Sequence, residues 1–142
     1  MDYEQLAEEF ISRMVQMQFS DLNRSINEAM RGEHFILAYV YHNDSALPGE
    51  LAQAMQTSTA YVAKMLRGLE EKDLIRRTLD INDRRRILVT LTEKGKEQAK
   101  KDAAYVKDGV KWMLSILDDE DAVALVRILH KLSEKTANIH LS

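Results

Sequence analysis

The chain has 142 residues, 45% of them apolar and 30% charged, with a formal net charge of −3, which fits one soluble domain with its own core. It contains no cysteine, which excludes disulfides, thiolate metal sites and a thiol redox switch within the chain, and its longest apolar run, Phe35 to Tyr41, is too short to span a bilayer. The opening Met1-Asp2-Tyr3-Glu4 is acidic and lacks the basic and apolar regions of a signal peptide, so the expectation is a cytoplasmic protein without a membrane segment.

Only five glycines and one proline interrupt the chain, and its patterning is mostly helical. Leu6, Phe10, Met14 and Met17 recur at helical spacing, and Val15, Phe19, Leu22 and Ile26 continue on a drifting face, which predicts one long helix over about 3–29. Gly32 marks a break. Residues 33–42 are apolar nearly all round, which predicts a buried helix, and Asn43-Asp44-Ser45 reads as a turn. Pro48 suits the first position of a short helix over 48–55, because its missing N–H would be unpaired there anyway. Gln56-Thr57 then turns the chain, and Ser58 can cap the next helix.

That fourth helix turns Val62, Met65, Leu66 and Leu69 inward, leaves Thr59, Ala60, Ala63, Lys64 and Arg67 mostly on the other side, and ends near Asp73. Strict alternation follows. Ile75, Arg77 and Leu79 share one face of a first strand, and Ile87, Val89 and Leu91 share one face of a return strand, which predicts a hairpin over 74–92. Thr92 can cap a fifth helix over 93–117, in which Ala99, Ala103, Val106, Val110, Met113 and Leu117 form a heptad-like seam. Asp118 can cap a last helix carrying Ala122, Leu125, Val126, Leu129 and Leu132. The terminal helices carry more apolar surface than a small lobe can cover. A partner chain would use the surplus; packing of the first, fifth and sixth helices within one chain is the competing reading.

Charge is spread unevenly. Residues 1–63 hold 3 basic and 9 acidic side chains, residues 64–86 hold 8 and 5, and residues 87–142 hold 9 of each. The basic surplus therefore sits on the fourth helix and the hairpin, and local potential rather than net charge decides where a polyanion docks. A helix with a small, polar leading edge can enter a DNA major groove, and an arginine-tipped ribbon can reach an adjacent minor groove.

The order and spacing of particular residues over 47–96 resemble the MarR family of bacterial transcriptional regulators. They are Leu51-Ala52, Ser58 with Val62, Leu69-Glu70-Glu71-Lys72 with Leu74-Ile75 and Arg77, and Asp83-Arg84-Arg85 with Leu88-Val89, Leu91-Thr92-Glu93-Lys94-Gly95. The flanking helices match by length and pattern alone. The resemblance implies a mainly α fold with a small β-wing: one domain over 1–142, in which a winged helix-turn-helix lobe (30–92) is flanked by N- and C-terminal dimerisation helices (1–29 and 93–142). It implies a homodimer on double-stranded DNA with a pseudo-palindromic operator, and repression relieved by an effector such as a small molecule. No cofactor is expected. The family often has glycine where this chain has Gln56 and Asp73, and Thr and Arg where it has Ala63 and Lys64. The operator sequence is therefore not inherited with the resemblance.

The candidate DNA-binding residues are Ser58, Thr59, Ala60, Tyr61, Ala63, Lys64, Arg67, Arg77, Asp83, Arg84, Arg85 and Arg86. A guanidinium from Arg85 fits a narrow, A·T-rich minor groove, where the potential is most negative. Asp83 can hold that fork in place, the role the resemblance assigns to the pair. Arg84, Arg86, Arg67 and Arg77 suit phosphates. Ser58 to Tyr61 form the first turn, whose free N–H groups favour phosphate. Thr59 and Lys64 can reach base edges, and Ala60 or Ala63 a thymine methyl. Tyr61 can equally pack on the preceding helix.

The effector is not readable. His34 and His42 lie two turns apart near Glu33 and Asp44, but a metal site needs three or four converging ligands and the fifth helix offers no histidine. A metal-responsive regulator of the same fold is thus an alternative, with hydrogen-bonded or solvated histidines, His130 and His140 included, as the plainer reading. Met14, Met17 and Met30 can line an adaptable pocket, rimmed by Tyr39, Tyr41 and Trp112, or serve as core filler. No glycine-rich phosphate loop, nucleophile elbow or Cys/His pair suggests an enzyme. A winged-helix protein-interaction module without DNA binding is the other alternative; the wing arginines argue against it.

Overall fold

The computed structural model describes residues 1–18 and 20–139. In order they form α1 (Tyr3–Gln18), α2 (Asp21–Ala29), α3 (Glu33–Asn43), α4 (Pro48–Met55), α5 (Thr59–Glu71), β1 (Ile75–Leu79), β2 (Ile87–Leu91), α6 (Glu93–Ser115) and α7 (Asp119–Thr136). They fall into two compact units, Met1–Val106 and Lys107–Ser142, with the boundary inside α6.

The single helix expected over 3–29 is two helices. Ser20 is extended, with φ −74° and ψ 142°. Its hydroxyl donates to the Met17 carbonyl at 2.8 Å and accepts from the Asn23 N–H at 3.2 Å. One serine thus closes α1 and caps α2, offering the backbone an alternative to a continuous helix. Phe19 and the side chain of Leu22, both assigned to the drifting apolar face, lie outside the described residues.

The core of the first unit is built from α3, α4, α5 and the ribbon. Ile36, Leu37, Leu51, Val62, Leu66, Leu69, Ile75 and Val89 are all essentially inaccessible. Burial of each contributes about 1.5–3 kcal/mol relative to exposure. On α5 the buried set is Val62, Met65, Leu66 and Leu69, as the periodicity predicts. On α3, Ile36, Leu37 and Val40 are buried while Ala38 and Tyr41 are exposed. The all-round burial expected of this segment is therefore not reached.

The ribbon is antiparallel, with Ile75 opposite Leu91, Arg77 opposite Val89 and Leu79 opposite Ile87. Ala46 pins the middle of β2 through a pair of backbone bonds with Val89, at 3.0 and 2.8 Å. The alternation does not bury the outer end: Leu79 and Ile87, opposite one another, are 62% and 41% exposed. The pattern identifies a face, but the core beneath it stops near Val89.

Residues with positive φ stand at the exits of α3, α4 and α5, Asp44 with φ 66° at the first. Gln56 has φ 52° and Asp73 φ 59°, at the two positions where the family often has glycine. Beyond α5, the Leu74 N–H reaches the Leu69 carbonyl and the Asp73 N–H the Glu70 carbonyl, each at 3.0 Å. Beyond α4, Thr57 bonds Ala52 and Gln56 bonds Gln53 in the same pattern. These paired bonds satisfy carbonyls that a helix end otherwise leaves free. They turn the chain from α4 into α5 and from α5 into the ribbon.

Thr92 caps α6 as expected, its hydroxyl accepting from the Gly95 N–H at 3.0 Å. Gly95 is required sterically, because a β-carbon there would overlap the Leu74 carbonyl. The expected fifth helix, α6, ends at Ser115 rather than 117; of its expected seam, Ala99 is buried, Val106, Val110 and Met113 are half-buried, Ala103 is exposed, and Leu117 lies beyond the helix and is exposed. Asp118 caps α7, accepting from the Asp121 N–H at 2.8 Å. Neither α1 nor α7 buries a single residue. Phe10 and Ile11 on α1, and Val126, Leu129 and Leu132 on α7, are exposed.

Candidate nucleic-acid interface

The start of α5 is a clean helix N-terminus. Ser58 is extended and its hydroxyl accepts from the Tyr61 N–H at 3.1 Å. The cap leaves the remaining first-turn N–H groups unpaired within the helix, as an anion-binding end requires. Ser58, Thr59, Ala60, Tyr61, Lys64 and Arg67 are exposed and Ala63 is half-buried. These residues therefore share the solvent side of a helix whose other side is locked into the core. Tyr61 lies in a shallow cleft of about 520 Å³ together with Glu33, Lys64 and Arg67. Half exposed, it is not consumed by packing on the preceding helix.

The hairpin tip is held by its own two aspartates. Asp83 Oδ1 accepts from the Arg85 N–H at 3.0 Å and from the Arg85 guanidinium Nε at 3.3 Å. Asp80 Oδ1 accepts from the Asn82 N–H at 3.0 Å. Backbone bonds from Asp80 to the Arg86 carbonyl (3.0 Å) and from Arg86 to the Asp83 carbonyl (2.9 Å) close the loop. The Arg85 side chain remains 93% exposed despite its bond. It is oriented but still wet, which suits a group that must be delivered to a partner.

The arginines are not equivalent. Arg84 is exposed and has no ion-pair partner among the described residues. Arg86 lies 3.9 Å from Asp80, a loose pair. Arg77 Nε lies 3.0 Å from Glu70 Oε2, yet this buried Nε makes no hydrogen bond. The distance is that of a hydrogen bond but the N–H points past the oxygen, so the contact is an ion pair only. It anchors the end of α5 to β1 and leaves Arg77 less free for phosphate than Arg67 or its exposed neighbour Arg76. Asp80, Arg76 and Glu70 are not among the candidate site residues; the Asp80-x-Asn82 spacing is the signal that marks the first as a turn former.

The histidines do not converge. His34 Nδ1 lies 2.7 Å from Asp102 Oδ2, and Gln98 donates to the other oxygen at 2.9 Å. His42 is exposed against the edge of Tyr41, and His140 lies outside the described residues. No group of three or more His, Asp or Glu among the described residues is placed to hold a metal ion. Met14, Met17 and Met30 are exposed rather than core filler, whereas Met65 is buried. No described helix is long and apolar enough to cross a membrane.

Residues 31–87 match the model of the MarR family. The HTH-type transcriptional repressor MdtR of Bacillus subtilis strain 168 is 32% identical over 70% of this chain, and the match spans 64% of that repressor. The YusO protein of Bacillus subtilis has a similar structure, with 28% identity, a TM-score of 0.72, and coverage of 94% of this chain and 99% of that one. FabT of Streptococcus pneumoniae, solved in complex with DNA, has 18% identity and a TM-score of 0.72 over 98% of this chain and all of that one. The matched segment runs from the break before α3 to the first residue of β2, and so takes in the capped helix, its left-handed exits and the arginine tip. The segment 31–87 is thus similar to the MarR family, and the whole chain is similar in fold to solved winged helix-turn-helix proteins.

Proposed function

We propose that the chain is a sequence-specific, DNA-binding transcriptional regulator that works as a homodimeric repressor on a pseudo-palindromic operator. The observation that carries this reading is the pairing of two prepared contacts: the Ser58-capped, exposed start of α5 and the Asp83-held Arg85 at the hairpin tip. The helix start would enter a major groove and the tip an adjacent minor groove. Thr59 and Lys64 would meet bases, Arg67 and Arg84 phosphates. MdtR, a repressor, and FabT, solved with DNA, support the reading by analogy.

The bare apolar residues of α1 and α7 support a second copy as partner, since exposed apolar surface on this scale marks an interface. Two reading helices would then span about one helical turn of DNA. The role is binding rather than enzymatic, and the work would be done beside the chromosome, in the cytoplasm. Relief by a small-molecule effector would require a coupling of about 1–3 kcal/mol between its site and the operator. Sedimentation of the protein alone and with a bound duplex tests the assembly. The reading expects two chains in both cases; one chain per duplex would overturn the homodimer.

A further inference from the structure

Ile81 is 95% exposed at the hairpin tip. An isoleucine so placed contributes nothing to the core, and on an otherwise polar and charged loop it stands out. Its position is not loose. It is enclosed between Asp80, whose carboxylate takes the Asn82 N–H, and Asp83, whose carboxylate takes the Arg85 N–H, both at 3.0 Å. The backbone bond from Asp80 to Arg86 closes the loop beneath it. The tip thus displays one apolar side chain and the Arg85 guanidinium from a single pre-formed turn. Leu79 and Ile87, opposite one another on the ribbon and both exposed, carry apolar surface from the last buried position out to the tip.

We propose that Ile81 is a specificity-determining contact, an apolar wedge seated in the minor groove beside Arg85. The inference rests on the DNA-binding reading. The occupant follows from charge complementarity: Arg84, Arg85 and Arg86 lie on the same loop as Ile81, and a polyanion is the partner three arginines fit. Within that partner, the minor groove that the tip would reach has an apolar lining. Its walls are the C–H faces of deoxyriboses, and inserted isoleucines are a recurring minor-groove device. The chemistry then dictates a preference. The floor of the groove is smooth at A·T pairs, but at G·C pairs the guanine N2 amino group projects from it. A branched aliphatic side chain can neither accept a hydrogen bond from that group nor avoid it. Ile81 therefore selects A·T at the step beneath the wing by exclusion, whereas the arginines attract.

The test uses the full-length protein and three versions of a duplex recovered by selection. They differ only under the wing, with A·T, G·C or inosine·C, the last lacking the N2 amino group while keeping the major-groove face of G·C. Wild type is expected to bind the G·C duplex about tenfold more weakly than the A·T duplex, and the inosine duplex nearly as well as A·T. Ile81→Ala, at a site too exposed to disturb folding, is expected to shrink the A·T over G·C ratio at least about threefold. An unchanged ratio in Ile81→Ala, or no rescue by inosine, would overturn the wedge while leaving DNA binding standing. Failure of the wild type to bind any of the three duplexes would overturn the DNA-binding reading itself, and the wedge with it.

Discussion

Asp83 accepts two hydrogen bonds from Arg85, one from its backbone N–H at 3.0 Å and one from its guanidinium at 3.3 Å. The first fixes the turn and the second fixes the fork. Removing Asp83 has two opposed effects on DNA affinity: it deletes a negative charge near phosphates, and it frees a long side chain that must then be ordered on binding. Ordering one such side chain costs about 0.5–1.5 kcal/mol, whereas a single exposed charge is largely screened at physiological salt. Asp83→Ala is therefore expected to bind operator about threefold more weakly. Tighter binding in an anisotropy titration would mean the aspartate acts only through its charge.

Arg85→Ala removes the group itself. At about 150 mM salt, affinity should fall at least about tenfold, with loss of one counterion-releasing contact per lobe. Because the side chain is 93% exposed, the melting temperature and the sedimentation behaviour should stay those of wild type. Unchanged affinity would remove the tip from the interface.

Thr92 ties the end of α5 to the start of α6. Its hydroxyl donates to the Asp73 carbonyl at 2.6 Å and accepts from the Gly95 N–H at 3.0 Å, and the residue is buried. Thr92→Val keeps the shape and leaves both partners unsatisfied. The expected loss is about 1–3 kcal/mol in denaturant unfolding. A loss below about 0.5 kcal/mol would show that water replaces both bonds.

Gln56 and Asp73 hold left-handed backbone that only glycine adopts without strain. Neither side chain accepts or donates a hydrogen bond among the described residues. Gln56→Gly and Asp73→Gly should each raise unfolding stability by about 0.5–1 kcal/mol, the relief of strain outweighing glycine's extra freedom in the unfolded chain. Destabilisation by either would show that the native side chain supplies something beyond its backbone angle.

Much of this architecture is legible in the residues because local and global preferences agree. Val62, Met65, Leu66 and Leu69 give the buried side of α5 directly, and Ser58, Thr92 and Asp118 announce the helices they cap. The failures have physical causes. Residues 3–29 read as one helix because a period of 3.6 says nothing about a hydroxyl that rebonds the backbone at Ser20. Leu79 and Ile87 share a face with the buried Ile75 and Val89 yet are exposed, because alternation assigns a face without showing how far the core extends beneath it. At the candidate interface, the residue types at the tip were legible, but their unequal freedom was not. Arg77 is held by Glu70 and Arg86 loosely by Asp80, pairings that only the folded backbone brings together.

The central claim is symmetric, phosphate-driven recognition of a DNA sequence, and the most direct measurement is selection of random duplexes by the purified protein followed by salt titration of the winner. The account predicts a two-fold symmetric motif of about 16–20 base pairs and a log–log salt slope of magnitude about 7 to 11, from about four to six basic groups in each of two lobes. No enriched motif, or a slope of magnitude about 1, would contradict it.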